Sequence, residues 1–225
     1  MKKRGNRKKK RIVFAIVNGA LLLIMAACLI TTAILSNTLA SQKEASRWRG
    51  ESDMEFSQIS CFIPVDEKIG LEEVSAFRTK LTEELHKAAL DIDNDSTLFV
   101  DAWSCTGKVN VSSDNGKGEA AVIAVGGEFF DFHPIRLISG SYITQRDLMK
   151  DRVLLDEDLA WLLYGGTDIA GLSMKINGVP YMIAGVVERE QDKFSTAAYT
   201  SGRGLYMSYD GYSQLVEDAG ITCYE

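Results

Sequence analysis

Residues 12–35 read IVFAIVNGALLLIMAACLITTAIL, 24 positions without a charge. About 20 apolar residues suffice to cross the hydrocarbon core of a bilayer, so this run predicts a transmembrane helix. Its notable polar members are Asn18, Thr31 and Thr32, and a helical threonine can bond back to its own turn. The rival reading is a cleaved signal peptide, for which Thr38-Leu39-Ala40 offers a tolerable site. The apolar stretch is longer than the about 7–15 residues of a signal h-region, which favours an uncleaved anchor. Both readings export the C-terminal body.

Past the run the pattern changes. Residues 36–52 are polar and read as a juxtamembrane linker, with Trp48 suited to the membrane interface. FSQISCFI, residues 56–63, alternates like a strand. Leu71, Val74, Phe77, Leu81 and Leu85 then recur at helical spacing, opposite a charged face, and predict a helix over 71–90. Asp91 to Ser96 reads as a turn and TLFVDAWSC, 97–105, as a returning strand, giving a β-α-β opening. Gly107 to Gly118 is polar and turn-rich, so a hairpin connection or exposed loop is expected there.

The second half is rich in β-hairpin signals. EAAVIAV, 119–125, is a buried-type strand broken by Gly126-Gly127, and a short strand follows at 151–155. DEDLAWLLY, 156–164, predicts a helix with Asp156 as N-cap and Gly165-Gly166 as its stop. Asn177-Gly178 sits between two apolar runs in 172–187, the signature of a type I′ turn. Residues 191–203 read as a loop, 204–208 as a strand, 210–218 as a short helix, and ITCYE as the start of another strand. The expected fold class is α+β, a transmembrane helix followed by a mixed α/β domain. The expected boundaries are a basic tail at 1–11, the helix at 12–35, the linker at 36–52 and the domain at 53–225, with the natural chain continuing past Glu225.

Charge gives the arrangement a direction. The net charge is -6, but residues 2–11 hold eight Lys/Arg and no acid. The remainder carries 17 basic and 31 acidic side chains, a balance of -14. By the positive-inside rule the N-terminus is cytoplasmic and the acidic body lies outside. The basic tail suits anionic lipid headgroups, with nucleic acid disfavoured because the tail abuts the membrane.

Reactive chemistry is sparse. Cys28 lies in the anchor, and Cys61, Cys105 and Cys223 lie beyond it. Cys61 and Cys105 end predicted strands on either side of one helix, which makes them a candidate disulfide; the alternative is that they are small buried hydrophobes. His86 falls on a charged helix face and His133 precedes a proline, with no zinc-binding spacing around either. There is no GxSxG elbow, and around Gly116-Lys117 the P-loop positions hold Val111 and Gly118. Asp91, Asp93 and Asp95 open like a calcium loop, but Ser96 and Ala102 stand where glycine and glutamate are needed. The aromatic residues read as core, although one of Phe129 and Phe130 could face a partner after its Gly-Gly break. No enzyme activity, cofactor or metal is expected.

One further pattern is specific in combination. EFFDFHPIRLISGSYIT (128–144), VLLDEDLAWLLYGG (153–166) and TDIAGLSMKINGVPYMIAGVVE (167–188) follow one another in an order and spacing that resemble the periplasmic core domain of MacB-like ABC transporter permeases. The preceding transmembrane helix agrees in layout. Ser141 replaces the usual arginine after the glycine turn, and Gly171-Leu172 the usual Gly-Lys. The motif residues Gly140, Gly165, Gly166, Asn177, Gly178 and Gly185 are of structural type and name no active site. The resemblance implies a permease subunit anchored in the cell membrane, served by a separate ABC ATPase, in a homodimer or beside a second permease subunit. It also implies further transmembrane helices, which this chain does not contain. The alternatives are a stand-alone tethered binding or sensor domain and, less favoured, a tethered hydrolase built on His86 or His133.

Overall fold

The computed structural model describes residues 2–38, 57–88, 99–189 and 204–225. Most of the linker with Trp48, the Asp91–Ser96 turn with its three aspartates, and the whole 191–203 loop lie outside them. The chain divides into two units, 1–57 and 58–225.

Among its described residues the first unit holds one helix, α1 (Lys2–Thr38). Its apolar section, Arg11–Leu35, is 25 residues long. At 1.5 Å per residue that is about 37 Å, enough for a hydrocarbon core of about 30 Å. Within this unit its side chains are uncovered, with Phe14 71% and Leu23 74% exposed. Polar groups in the span are satisfied by the helix itself. Asn18 Nδ2 donates to the Phe14 carbonyl at 2.8 Å, and Thr31 Oγ1 to the Ala27 carbonyl at 2.7 Å. In hydrocarbon these groups have no water to turn to, so self-satisfaction is what lets them span.

Among the described residues the second unit is a nine-stranded mixed sheet with helices. In chain order it holds β1 (Cys61–Phe62), α2 (Leu71–Lys87), β2 (Ala102–Ser112), β3 (Lys117–Gly127), α3 (Phe129–Phe132), β4 (Leu137–Gly140), β5 (Arg152–Asp156), α4 (Glu157–Tyr164), β6 (Ser173–Ile176), β7 (Val179–Val187), β8 (Gly204–Ser208), α5 (Tyr209–Ser213) and β9 (Cys223–Tyr224). The strands run β1-β9-β2-β3-β8-β5-β7-β4, while β6 pairs with both β2 and β7. That double pairing closes a circuit of six strands, β2-β3-β8-β5-β7-β6. Two neighbours are parallel, β3 with β8 and β5 with β7; the other pairs are antiparallel.

Alternation builds the core. On β2, Trp103, Cys105, Val109 and Val111 are buried, while Thr106, Lys108 and Asn110 face water. Ala120, Val122 and Ala124 of β3 and Leu205 and Met207 of β8 add to the buried cluster, and α4 contributes Leu159 and Leu163.

The polar stretch expected over 107–118 as a hairpin connection or exposed loop lies in a hairpin, most of it in the two strand arms. Only Ser113 to Gly116 turns, with Ser113 N–H bonded to the Gly116 carbonyl at 2.8 Å. The polar residues that suggested a loop occupy the solvent face of a hairpin whose other face stays apolar. The Ser113 hydroxyl ties this turn to α4 through the Leu163 carbonyl at 2.7 Å. The 97–105 strand correspondingly starts at Ala102 and runs on to Ser112. The 56–63 strand shrinks to Cys61–Phe62, because its partner β9 is only two residues long. The helix expected over 210–218 stops at Ser213.

Helix α4 follows its sequence signals. Asp156 Oδ1 accepts from Leu159 N–H at 2.7 Å, and Gly165 closes the helix at φ 74°.

Candidate functional site

The motif glycines mark where backbones meet. Gly140 on β4 pairs with Gly185 on β7. A Cβ on Gly140 would sit 2.1 Å from the Ala184 carbonyl oxygen, and one on Gly185 would sit 2.4 Å from that of Ser139. Gly140 also has φ +80°, which L side chains avoid. Asn177 and Gly178 have φ 48° and 87° and turn β6 into β7. The Asn177 side chain accepts from Asn110 N–H at 3.0 Å, so this turn is fastened to β2. Gly165 ends α4, and Gly166 follows it in open space.

The two candidate disulfide cysteines are free thiols. Strand β9 lies between β1 and β2. Two strand spacings, about 9.5 Å, therefore separate their backbones, against about 4.4–6.8 Å between the Cα atoms of a bridged pair. Cys61 is exposed and Cys105 is buried. Burial pushes the Cys105 thiol up to about 12, and burial lifts Cys223 to about 11.

Helix α2 is clamped to the sheet by a polar cluster that sequence reading missed. Arg78 donates to Asp101 Oδ1 at 2.6 Å, and the Tyr224 hydroxyl donates to Asp101 Oδ2 at 2.7 Å. The Arg78 guanidinium lies 5.3 Å from the centre of the Trp103 ring, and Phe77 meets Tyr224 edge to face. Burial raises the Tyr224 phenol, reinforced by its bond to Asp101. Arg78 and Asp101 are 23 positions apart, with no periodic pattern to link them.

His86 is exposed on α2. His133, at the end of α3, places Nε2 2.6 Å from Glu225 Oε2, and the Ser60 hydroxyl donates to Glu225 Oε1 at 3.0 Å. A nucleophilic serine needs a base on its own hydroxyl. Here a carboxylate takes that position and stands between serine and imidazole, the reverse of a catalytic triad. Burial opposes the Glu225 charge, but the bond from His133 holds its carboxyl below the usual range. Among the described residues no three His, Cys, Asp or Glu side chains gather as metal ligands.

The aromatic pair after the Gly-Gly break packs against other rings of the domain. Phe129 is buried, Phe130 is half-buried, and both rings neighbour Tyr206, Phe130 edge to face and Phe129 tilted. Phe130 also meets the Tyr142 ring at 5.1 Å. The exposed apolar side chains lie elsewhere. Ile59, Phe62 and Val65 are uncovered around β1, and Leu148 is 98% exposed beside Met149. The turn before Leu148 is fixed by Asp147, whose carboxylate accepts from Thr144 N–H and Oγ1. The sequence signal for Leu148 and Met149 is two apolar residues between Asp147 and Lys150, outside any periodic element.

Asp156 is a buried acid with two backbone donors. Its second oxygen accepts from Gly204 N–H at 2.6 Å, so one carboxylate joins the start of α4 to the start of β8. Burial raises it to about 6, against the lowering effect of its two backbone donors.

An apolar helix long enough to cross a membrane, then a mixed sheet closed by β6 and held by glycine contacts, define a membrane-anchored α+β domain. The profile of the MacB-like periplasmic core domain matches residues 14–222, and the chain belongs to that family. No curated protein matches the chain. Solved structures are similar to parts of the chain at low identity. The extracellular domain of the noncanonic ABC-type transporter YknZ from Gram-positive bacteria is 12% identical with a TM-score of 0.46, over 56% of this chain and 62% of that one. The periplasmic region of MacB from Actinobacillus actinomycetemcomitans is 17% identical with a TM-score of 0.45, over 57% of this chain and 58% of that one. The match thus spans about six-tenths of each relative's own length.

Proposed function

We propose that this chain is the anchor and extracytoplasmic domain of an ABC-type permease subunit, which couples ATP hydrolysis by a separate ATPase to export or mechanical work across the membrane. The observation that carries this reading is the family match, which begins inside the apolar helix and extends to the edge of β9. The basic tail stays in the cytoplasm, α1 crosses the bilayer, and the acidic body works outside. The body performs no bond-making step of its own. Its exposed Leu148–Met149 turn and the apolar residues around β1 are its contact points with a second permease subunit or another protein partner.

The test is affinity isolation of the tagged native protein from cross-linked membranes of its source, with identification of its partners and an ATP hydrolysis assay. The expected result is an ATPase bearing a P-loop, with turnover that disappears when the P-loop lysine of that partner is replaced. Isolation without an ATPase would favour the stand-alone binding or sensor domain.

A further inference from the structure

Asn18 lies about 10 Å along α1 from Arg11, at about 1.5 Å per residue, inside the apolar section. Its amide carries two N–H donors and an oxygen acceptor. The bond to the Phe14 carbonyl at 2.8 Å takes up one N–H. The second N–H and the oxygen have further hydrogen-bonding capacity, and hydrocarbon supplies no water to fill it. Gly19, the next residue, is a second signal. Glycine inside a helix is less favourable than alanine by about 1 kcal/mol. Among the described residues nothing would lie within 4 Å of a Cβ on Gly19, so its own chain does not require the small residue. At about 100° per residue, Ala15, Gly19, Leu22, Ala26 and Ala33 fall on one stripe of α1 that Asn18 borders. Val13, Val17 and Ile24 lie on the other side.

We propose that this stripe is the contact between two copies of the chain, whose α1 helices cross there with each Asn18 amide bonded to the other. Small residues let helix backbones approach closely within a bilayer, and asparagine bonds across such contacts. The remaining amide groups select the occupant. One donor and one acceptor on the same side chain are self-complementary, so a two-fold axis along the membrane normal pairs them reciprocally at one depth. A different helix would have to carry both a donor and an acceptor at that level. The opposing effect is the meeting of two basic tails, eight Lys/Arg each, on one side of the membrane. Anionic headgroups there attract and screen them. This contact rests on the reading above, that α1 crosses the bilayer as part of a permease subunit, and it gives the second copy an interface inside the membrane.

The experiment uses the full chain in membranes of its source, with Cys61→Ser to remove the exposed thiol, and oxidative cross-linking read on non-reducing gels. Leu22→Cys places a thiol on the stripe, whereas native Cys28 lies off it. The expected result is a band at twice the chain's mass with Leu22→Cys and none from Cys28 alone. Adding Asn18→Leu should weaken association roughly threefold to tenfold, and Gly19→Leu should abolish the band. Equal cross-linking from both positions, a band unchanged by Asn18→Leu and Gly19→Leu, or cross-linking to a different protein would overturn the contact. Alkaline extraction separates the two levels. A monomer kept in the membrane pellet refutes only the contact, whereas release of the protein refutes the membrane anchor as well.

Discussion

At the residue scale the molecule depends on positions where one atom too many cannot be accommodated. Gly140 combines a positive φ with a backbone contact that a methyl group would violate, and Gly185 faces it across the same strand pair. Gly140→Ala and Gly185→Ala should each destabilise the body by about 2–4 kcal/mol, read as a fall in Tm of about 5–15 °C. Gly166→Ala, in open space, should change little. Asp156 gives a prediction in pH. Its folded-state pKa is raised from 3.8 to about 6, so between those values the native state binds a proton that the unfolded state has released. Through this group, stability should rise as pH falls from about 6 toward 4, and the ionised form should be a penalty on the order of 3 kcal/mol above pH 6. Asp156→Asn should flatten that segment of a Tm-against-pH curve while losing the acceptor for Gly204 N–H. A slope unchanged in Asp156→Asn would assign the pH dependence elsewhere.

At the scale of elements, what was legible in the sequence was local. Helix α4 and the β6–β7 hairpin carry their own start, stop and turn residues, so Asp156, Gly165 and Asn177-Gly178 announced them directly. The β2–β3 hairpin was only half legible because Lys108, Asn110 and Lys117 look like loop residues until Val109 and Val111 are seen to keep the buried phase. Strand β1 was overdrawn because alternation cannot tell how long the partner strand will be. The Arg78–Asp101–Tyr224 cluster was invisible, since it joins α2, the residue before β2 and β9 across the chain. Removing Arg78 leaves the buried Asp101 carboxylate without its charged partner. Arg78→Ala should cost about 2–3 kcal/mol and speed amide exchange in α2 before the central strands. Equal acceleration in α2 and β3 would mean that the cluster does not hold the helix separately.

At the scale of the whole molecule, the central claim is a cytoplasmic basic tail and an exported body on either side of one membrane helix. Its basis is the run at 12–35, the charge asymmetry around it, and a family whose core domain is periplasmic. The thiols provide built-in reporters, since Cys61 is exposed and Cys105 is buried with its thiol pushed up to about 12. Labelling with a membrane-impermeant maleimide in spheroplasts tests the claim most directly, with a cysteine introduced by Asn6→Cys as the inner reporter. The expected result is prompt labelling of Cys61, none of Cys105, and labelling at position 6 only after the membrane is permeabilised. Labelling at position 6 in intact spheroplasts with Cys61 protected, or recovery of the body free of the membrane, would contradict it.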